Sequence, residues 1–205
     1  MVLPADMAKV ALVLVDMQND FLHPNGAYGR AGQTSASIAE LTGRLAPLAA
    51  SFRVAGGWIV STQFTLVPAK GGEPMISPHL KALRPFLTKG DFCPGSFGHR
   101  LVEELAPADL EVEKVAYSAF YMSRLEWVLR KAGIEHLVMA GIVTNGGVAS
   151  TLRDAHVRDF STLLLSDGTA AFSEDVHETT VASLSAISPV ATCADILDEL
   201  KDRAQ

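Results

Sequence analysis

Six short, mostly apolar runs constrain this chain more than any other feature: Val10–Val15, Trp58–Thr62, Val112–Val115, Leu137–Ile142, Thr162–Leu165 and Val190–Thr192. Each has strand length. A strand that is apolar on both of its alternating faces must be covered on both sides, as in a parallel sheet held between two layers of helices. The stretches between the runs carry helical spacing. From Ser35, the residues Ile38, Leu41, Leu45, Leu48 and Phe52 recur at helical intervals, with Thr34 or Ser35 placed to cap the start, Pro47 expected to kink the helix and Gly56-Gly57 to stop it. Leu125, Val128, Leu129 and Ala132 repeat the pattern up to Gly133, and further helices are expected over about 147–156, 177–186 and 194–202. This alternation predicts right-handed crossovers and a doubly wound, three-layer αβα sandwich with an open parallel sheet of about six strands. Its ligand crevice would lie beyond the carboxyl ends of the strands.

With 205 residues, 48% of them hydrophobic, the chain is expected to form one domain over 1–205, too apolar to be disordered. The net charge of −6, with no block of five like charges, offers no footprint for nucleic acid or anionic lipid, so a small-molecule substrate is the expected partner. Cys93 and Cys193 belong to no CxxC pair, which indicates neither a disulfide framework nor a zinc site and suits a reducing cytosol. The first residues lack a basic region ahead of an apolar stretch, so we expect a cytoplasmic chain that is neither exported nor membrane-spanning. The stretch 64–94 breaks the pattern. It holds Pro68, Pro74, Pro78, Pro85 and Pro94 with Gly71-Gly72, and reads either as a substrate wall or lid or as a tolerated surface insertion.

The strand ends carry the chemistry. Asp16 terminates the first run, where partial desolvation can raise its pKa into the range of proton exchange near neutrality; taken alone it reads equally as a turn aspartate. Gln63 puts an amide at the end of the second run, for a substrate carbonyl or for structure. Lys114 in the third run needs a carboxylate partner if buried, and Asp16 could be that partner; at a strand edge it would simply be solvated. After the fourth run, Val143-Thr144-Asn145-Gly146-Gly147 leads into a helix whose free N–H groups can hold an oxyanion, or forms a plain tight turn.

Three separated motifs, Ala11-Leu12-Val13-Leu14-Val15-Asp16-Met17-Gln18-Asn19-Asp20-Phe21, Lys114 with Tyr117-Ser118-Ala119-Phe120, and Gly141-Ile142-Val143-Thr144-Asn145 leading to Thr151-Leu152-Arg153-Asp154-Ala155, resemble the isochorismatase-like hydrolases, or cysteine hydrolase superfamily. The resemblance covers nearly the whole chain. It implies a six-stranded parallel sheet, catalytic roles for Asp16 and Lys114, a non-proline cis peptide at Val143–Thr144, and a homodimer or homotetramer. It also implies a substrate space lined by Phe21, Gln63, Phe64, Tyr117, Ser118, Phe120, Val143, Thr144, Asn145 and Gly146. Where the family's amidases place their nucleophilic cysteine, this chain has Gly147. True isochorismatases are similar in having glycine there, and they cleave a vinyl ether by aspartate-assisted protonation and water addition. They differ in reading Lys-Trp-Arg-Tyr where this chain has Lys114-Val115-Ala116-Tyr117, and the nicotinamidase histidine cluster is missing, so neither metal nor other cofactor is expected.

The leading expectation is a cysteine-independent hydrolase of the ether-cleaving type. Asp16 acts as acid or base, Lys114 holds its charge state, Gln63 orients the substrate and Gly146-Gly147 makes room for water or substrate. The alternative is a C–N amidohydrolase acting on an amide, ureide or lactam, using another nucleophile or carrying Gly147 in place of a native cysteine. A silent ligand-binding member is the third reading; the cost of a buried Asp16–Lys114 pair weighs against it.

Overall fold

Every residue of the first strand, β1 (Val10–Val15), is buried in the computed structural model, which describes residues 2–203. Pleating sends alternate side chains to opposite faces. Val10, Leu12 and Leu14 enter one core, and Ala11, Val13 and Val15 the other. The strands β2 (Trp58–Phe64), β3 (Leu110–Lys114), β4 (His136–Ile142), β5 (Ser161–Ala170) and β6 (Val190–Ala191) join it in the order β3-β2-β1-β4-β5-β6, all parallel. The fold is thus the expected doubly wound sandwich, and its strand order reverses between β1 and β4. That reversal opens a crevice beyond their carboxyl ends.

Eight helices accompany these strands among the described residues: α1 (Asn19–Leu22), α2 (Ala27–Arg30), α3 (Ala36–Val54), α4 (Pro78–Leu83), α5 (Leu125–Lys131), α6 (Ala149–His156), α7 (Glu174–Leu184) and α8 (Cys193–Arg203). Helices α3 and α8 cover one face of the sheet, with Leu41, Leu45, Phe52, Ile196 and Leu200 in its core; α5, α6 and α7 cover the other with Leu125, Leu129, Leu152 and Leu184. Each such Leu or Phe contributes about 1.5–3 kcal/mol on burial. Ser35 caps α3 by accepting from the Ile38 N–H, and the helix runs on through Pro47 to Val54. No helix among the described residues is long and apolar enough to cross a membrane.

Several boundaries differ from expectation for identifiable reasons. Strand β3 starts at Leu110 because it is an edge strand: Val112 and Lys114 face inward while Glu111 and Glu113 stay exposed, so its apolar run understates its length. Strand β5 extends to Ala170 because, past a register shift, Thr169 and Ala170 pair with Gly141 and Ile142. Helix α7 begins at Glu174, whose acidic first turn suits a helix N-terminus. The expected helix over 147–156 opens instead as a π-helical turn, Thr144–Val148, that runs into α6.

The excursion after β2 is not wholly irregular, since Ser77 caps α4 with Pro78 in its first turn. Its return, over residues 92–101, is pinned by the segment that follows β1. Gln18 accepts from the Phe64 N–H at 2.8 Å and donates to the carbonyls of Phe64 at 3.0 Å and His99 at 2.9 Å. Asn19 donates to Phe97 O at 2.9 Å. The Asp20 carboxylate accepts the N–H groups of Ala27 at 2.9 Å and Phe92 at 2.6 Å. It also rests on Gly98, where a Cβ would lie 2.1 Å from Oδ2. The polar residues after Asp16 therefore act as clamps that fold the excursion back over the crevice.

Candidate active site

Asp16 is the first residue past β1. Its φ of 56° is left-handed, a conformation that aspartate tolerates better than most residues, and it holds the side chain at the crevice floor. Its N–H donates to Thr62 O at 3.0 Å and its carbonyl accepts from the Gln18 N–H at 2.7 Å. Lys114, the last residue of β3, is 2% exposed, and its Nζ lies 2.7 Å from Asp16 Oδ2 while donating to Ala116 O at 3.0 Å. The two strands are not neighbours, because β2 lies between them. Two interstrand spacings are roughly 10 Å, a gap bridged by the length of the lysine side chain. The Phe64 ring, which faces Lys114 in register, stands 5.4 Å from Nζ.

One carboxylate oxygen remains free. Asp16 Oδ1 is buried and has no hydrogen-bond partner among the described residues, as does the Thr62 hydroxyl. Burial pushes the Asp16 carboxyl above the ordinary carboxylate range, with the Lys114 charge opposing that shift. A buried acid with one oxygen held by an ammonium and the other left without a close partner is suited to taking and returning a proton.

The turn after β4 closes the third side. Gly141 has φ 114°, and a Cβ there would fall 2.1 Å from Val15 O. Only glycine lets the two strand ends approach so closely. A Cβ at Gly147 would lie 3.1 Å from Asp16 Oδ2, from Ile142 O and from Val15 Cγ1, so a side chain at 147 would stand directly on the acid. The non-proline cis peptide is Ile142–Val143 rather than the expected Val143–Thr144, because β4 already ends at Ile142 and the chain turns on the peptide that leaves it.

The other expected residues divide between this crevice and elsewhere. Phe64 borders the ion pair, and Phe21 joins it in an aromatic wall. The Tyr117 ring lies 3.3 Å from a Cβ built at Gly146 and is itself 58% exposed, at the mouth. Thr144 is fully buried and hydrogen-bonded to His177 Nδ1 at 2.8 Å. Val143 is half-buried and Asn145 exposed. Ser118 is turned to Asp154 at 2.5 Å, and Phe120 packs on Phe160 beneath Arg158, so both serve the helix layer instead of the crevice. Gln63 neighbours Phe64 along β2 and pairs with Glu113, so pleating turns it away from Lys114. It lines a separate cleft of about 650 Å³ with His99, Arg100, Glu111, Glu113 and Arg124. Of the cysteines, Cys93 is half-buried, and Cys193 opens α8 with its thiol pushed up to about 12 by burial and by Asp167. A thiol so rarely ionised is a poor nucleophile. Sequence reasoning missed Tyr28, Arg84 and Phe172, which extend the aromatic wall and meet only in the folded chain.

A doubly wound sheet with a buried acid–ammonium pair at the carboxyl ends of its strands defines an α/β protein whose candidate site lies where such folds bind ligands. The chain belongs to the isochorismatase family: the Isochorismatase domain model matches residues 10–196. It is 35% identical over 178 residues to ureidoacrylate amidohydrolase RutB of Caulobacter vibrioides, covering 82% of this chain and 79% of that one. The ureidoacrylate amidohydrolase RutB of Methylobacterium radiotolerans is 34% identical over 191 residues, 87% of this chain and 74% of the relative. Among solved structures, a cysteine hydrolase from Pseudomonas syringae pv. phaseolicola 1448A shares the fold with a TM-score of 0.82 at 24% identity, over 98% of this chain and 96% of that one. The chain is a hydrolase of isochorismatase-like fold.

Proposed function

We propose that this hydrolase is a C–N amidohydrolase that cleaves a small ureide or amide by direct addition of water, with Asp16 as the proton acceptor. The observation that carries the reading is the unpartnered Asp16 Oδ1, on a carboxylate whose other oxygen is held by Lys114 and faces Gly147, a position without a side chain. The ether cleavage expected first from Gly147 gives way to this alternative, because the relatives at 34–35% identity are named as ureidoacrylate amidohydrolases.

A water molecule admitted beside Asp16 loses a proton to that carboxylate as its oxygen bonds to the substrate carbonyl carbon. The carbonyl electrons move to oxygen, and the resulting oxyanion needs hydrogen-bond donors within the crevice. Lys114 keeps Asp16 ionised until this moment and compensates the charge afterwards. The intermediate then collapses: the C–N bond breaks, its electrons stay on nitrogen, and the proton held by Asp16 passes to that nitrogen. Water is consumed, an amine leaves, and no bond to the protein forms.

Ammonia release tests the proposal. Ureidoacrylate and 3-ureidopropanoate are expected to yield free ammonia, whichever ureide C–N bond breaks, because carbamate decomposes to ammonia. A variant with Cys93→Ser and Cys193→Ser is expected to keep most of this turnover, since neither sulfur takes part in bond making. Hydrolysis of a vinyl ether without any ammonia-releasing activity would return the ether reading. Loss of activity on Cys93→Ser with the fold intact would mark a relocated nucleophile.

A further inference from the structure

The aromatic wall that starts at the ion pair ends at a cation that lacks a carboxylate partner. Phe64 lies 6.3 Å from Phe21, and Phe21 lies 4.7 Å from Tyr28. Tyr28 stacks on Phe172 at 5.6 Å with only 8° between their planes, and Phe172 stays 36% exposed. The Tyr28 hydroxyl accepts a hydrogen bond from Arg84 Nε at 3.0 Å. Arg84 follows α4 in the excursion, is half-buried, and spends one further N–H on Leu83 O. Some arginines pair with acids, as Arg30 does with Asp91 and Arg203 with Glu199; Arg84 pairs with none among the described residues and, unlike the others left without an acid, its guanidinium holds a tyrosine hydroxyl of the aromatic wall. Lys114 is already neutralised by Asp16. The Tyr28 phenol is pushed up chiefly by burial, with Arg84 opposing and with Tyr117 and Asp16 adding to the rise.

We infer that Arg84, steadied by Tyr28, is a specificity-determining residue that binds a carboxylate at the far end of the substrate, so that the site takes planar ureido acids in preference to neutral ureides. The ureide half of this statement rests on the amidohydrolase reading; the carboxylate half rests on Arg84. A guanidinium with in-plane N–H groups to spare matches a carboxylate fork, and the part-exposed Phe172 ring stacked on Tyr28 offers a face to a flat, conjugated chain. A ligand pinned at Arg84 would lie along the wall and present its other end to Asp16. The excursion would then act as a substrate wall, with the clamps on Gln18, Asn19 and Asp20 holding its return strand in place.

Two measurements test this separately from the chemistry. In the first, crotonate, a flat acid with no C–N bond to cleave, is titrated against the wild-type chain, Arg84→Gln and Arg84→Lys by calorimetry, with crotonamide as the neutral control. Arg84→Gln is expected to weaken crotonate about 10-fold or more and to leave crotonamide unchanged, with Arg84→Lys between, because a lysine supplies the charge but not the fork. In the second, kcat and KM are compared for ureidoacrylate and its methyl ester. Arg84→Gln is expected to raise KM for the acid alone, with kcat nearly unchanged. Equal crotonate binding by wild type and Arg84→Gln, or equal losses on acid and ester, would overturn the inference. If neither acid nor ester is hydrolysed by the wild-type chain while crotonate binding still depends on Arg84, the amidohydrolase reading falls and the carboxylate anchor stands.

Discussion

Asp16→Asn is expected to lower turnover by about 10²–10⁴-fold, the range of a general acid–base contribution, with the fold retained. The amide oxygen can still accept from Lys114 Nζ, now 2.7 Å from Oδ2, but the side chain can no longer take a proton from water. The pH profile gives the same group a second signature. Activity needs the ionised carboxylate, so kcat/KM falls as pH drops through the Asp16 pKa. Because burial pushes that pKa up, the acid limb is expected above the ordinary carboxylate range. Lys114→Met removes the charge that opposes burial and is expected to move the limb to still higher pH. An Asp16→Asn chain with near-normal turnover would place the base elsewhere.

The largest effect on stability is expected from Gly141→Ala. Its φ of 114° is costly for any residue with a Cβ, and the added carbon would lie 2.1 Å from Val15 O in the central strand pair. Strain of about 1–3 kcal/mol and overpacking of similar size add to about 2–6 kcal/mol, a large share of a typical domain's stability. For a chain of this length the midpoint of thermal unfolding is expected to fall by roughly 5–20 °C. Val15 precedes Asp16, so whatever remains folded is also expected to lose activity. Gly43→Ala serves as the control: it sits in α3 with no atom within 4 Å of an added Cβ, and is expected to be neutral or slightly stabilising. Equal melting of the two variants would contradict the close approach of β1 and β4.

The layer order was legible because β1 and β4 are apolar at nearly every position, which only a doubly covered sheet satisfies. Strand β3 was read less well, since its alternation of Glu111, Val112, Glu113 and Lys114 reflects an edge position that no single run of residues displays. Asp16 and Lys114 stood out as charges at the ends of apolar strands, and their meeting across β2 required only the register. What could not be read was the division of labour within the motif after Asp16. Gln18, Asn19 and Asp20 spend their polar groups on backbone atoms up to 81 residues away, contacts with no local signal. The same holds for Arg84 and Tyr28, which are 56 residues apart, and for Gln63, whose facing depends on which neighbour β2 pairs with.

Intact-mass measurement of the chain during turnover of ureidoacrylate, quenched on the timescale of a single cycle and repeated with hydroxylamine present, tests the direct addition of water most directly. Direct addition of water leaves the protein mass unchanged at every time, releases ammonia without a burst and forms no hydroxamate. A mass increase matching an acyl fragment, or a hydroxamate that grows with hydroxylamine concentration, would show a covalent intermediate and contradict it.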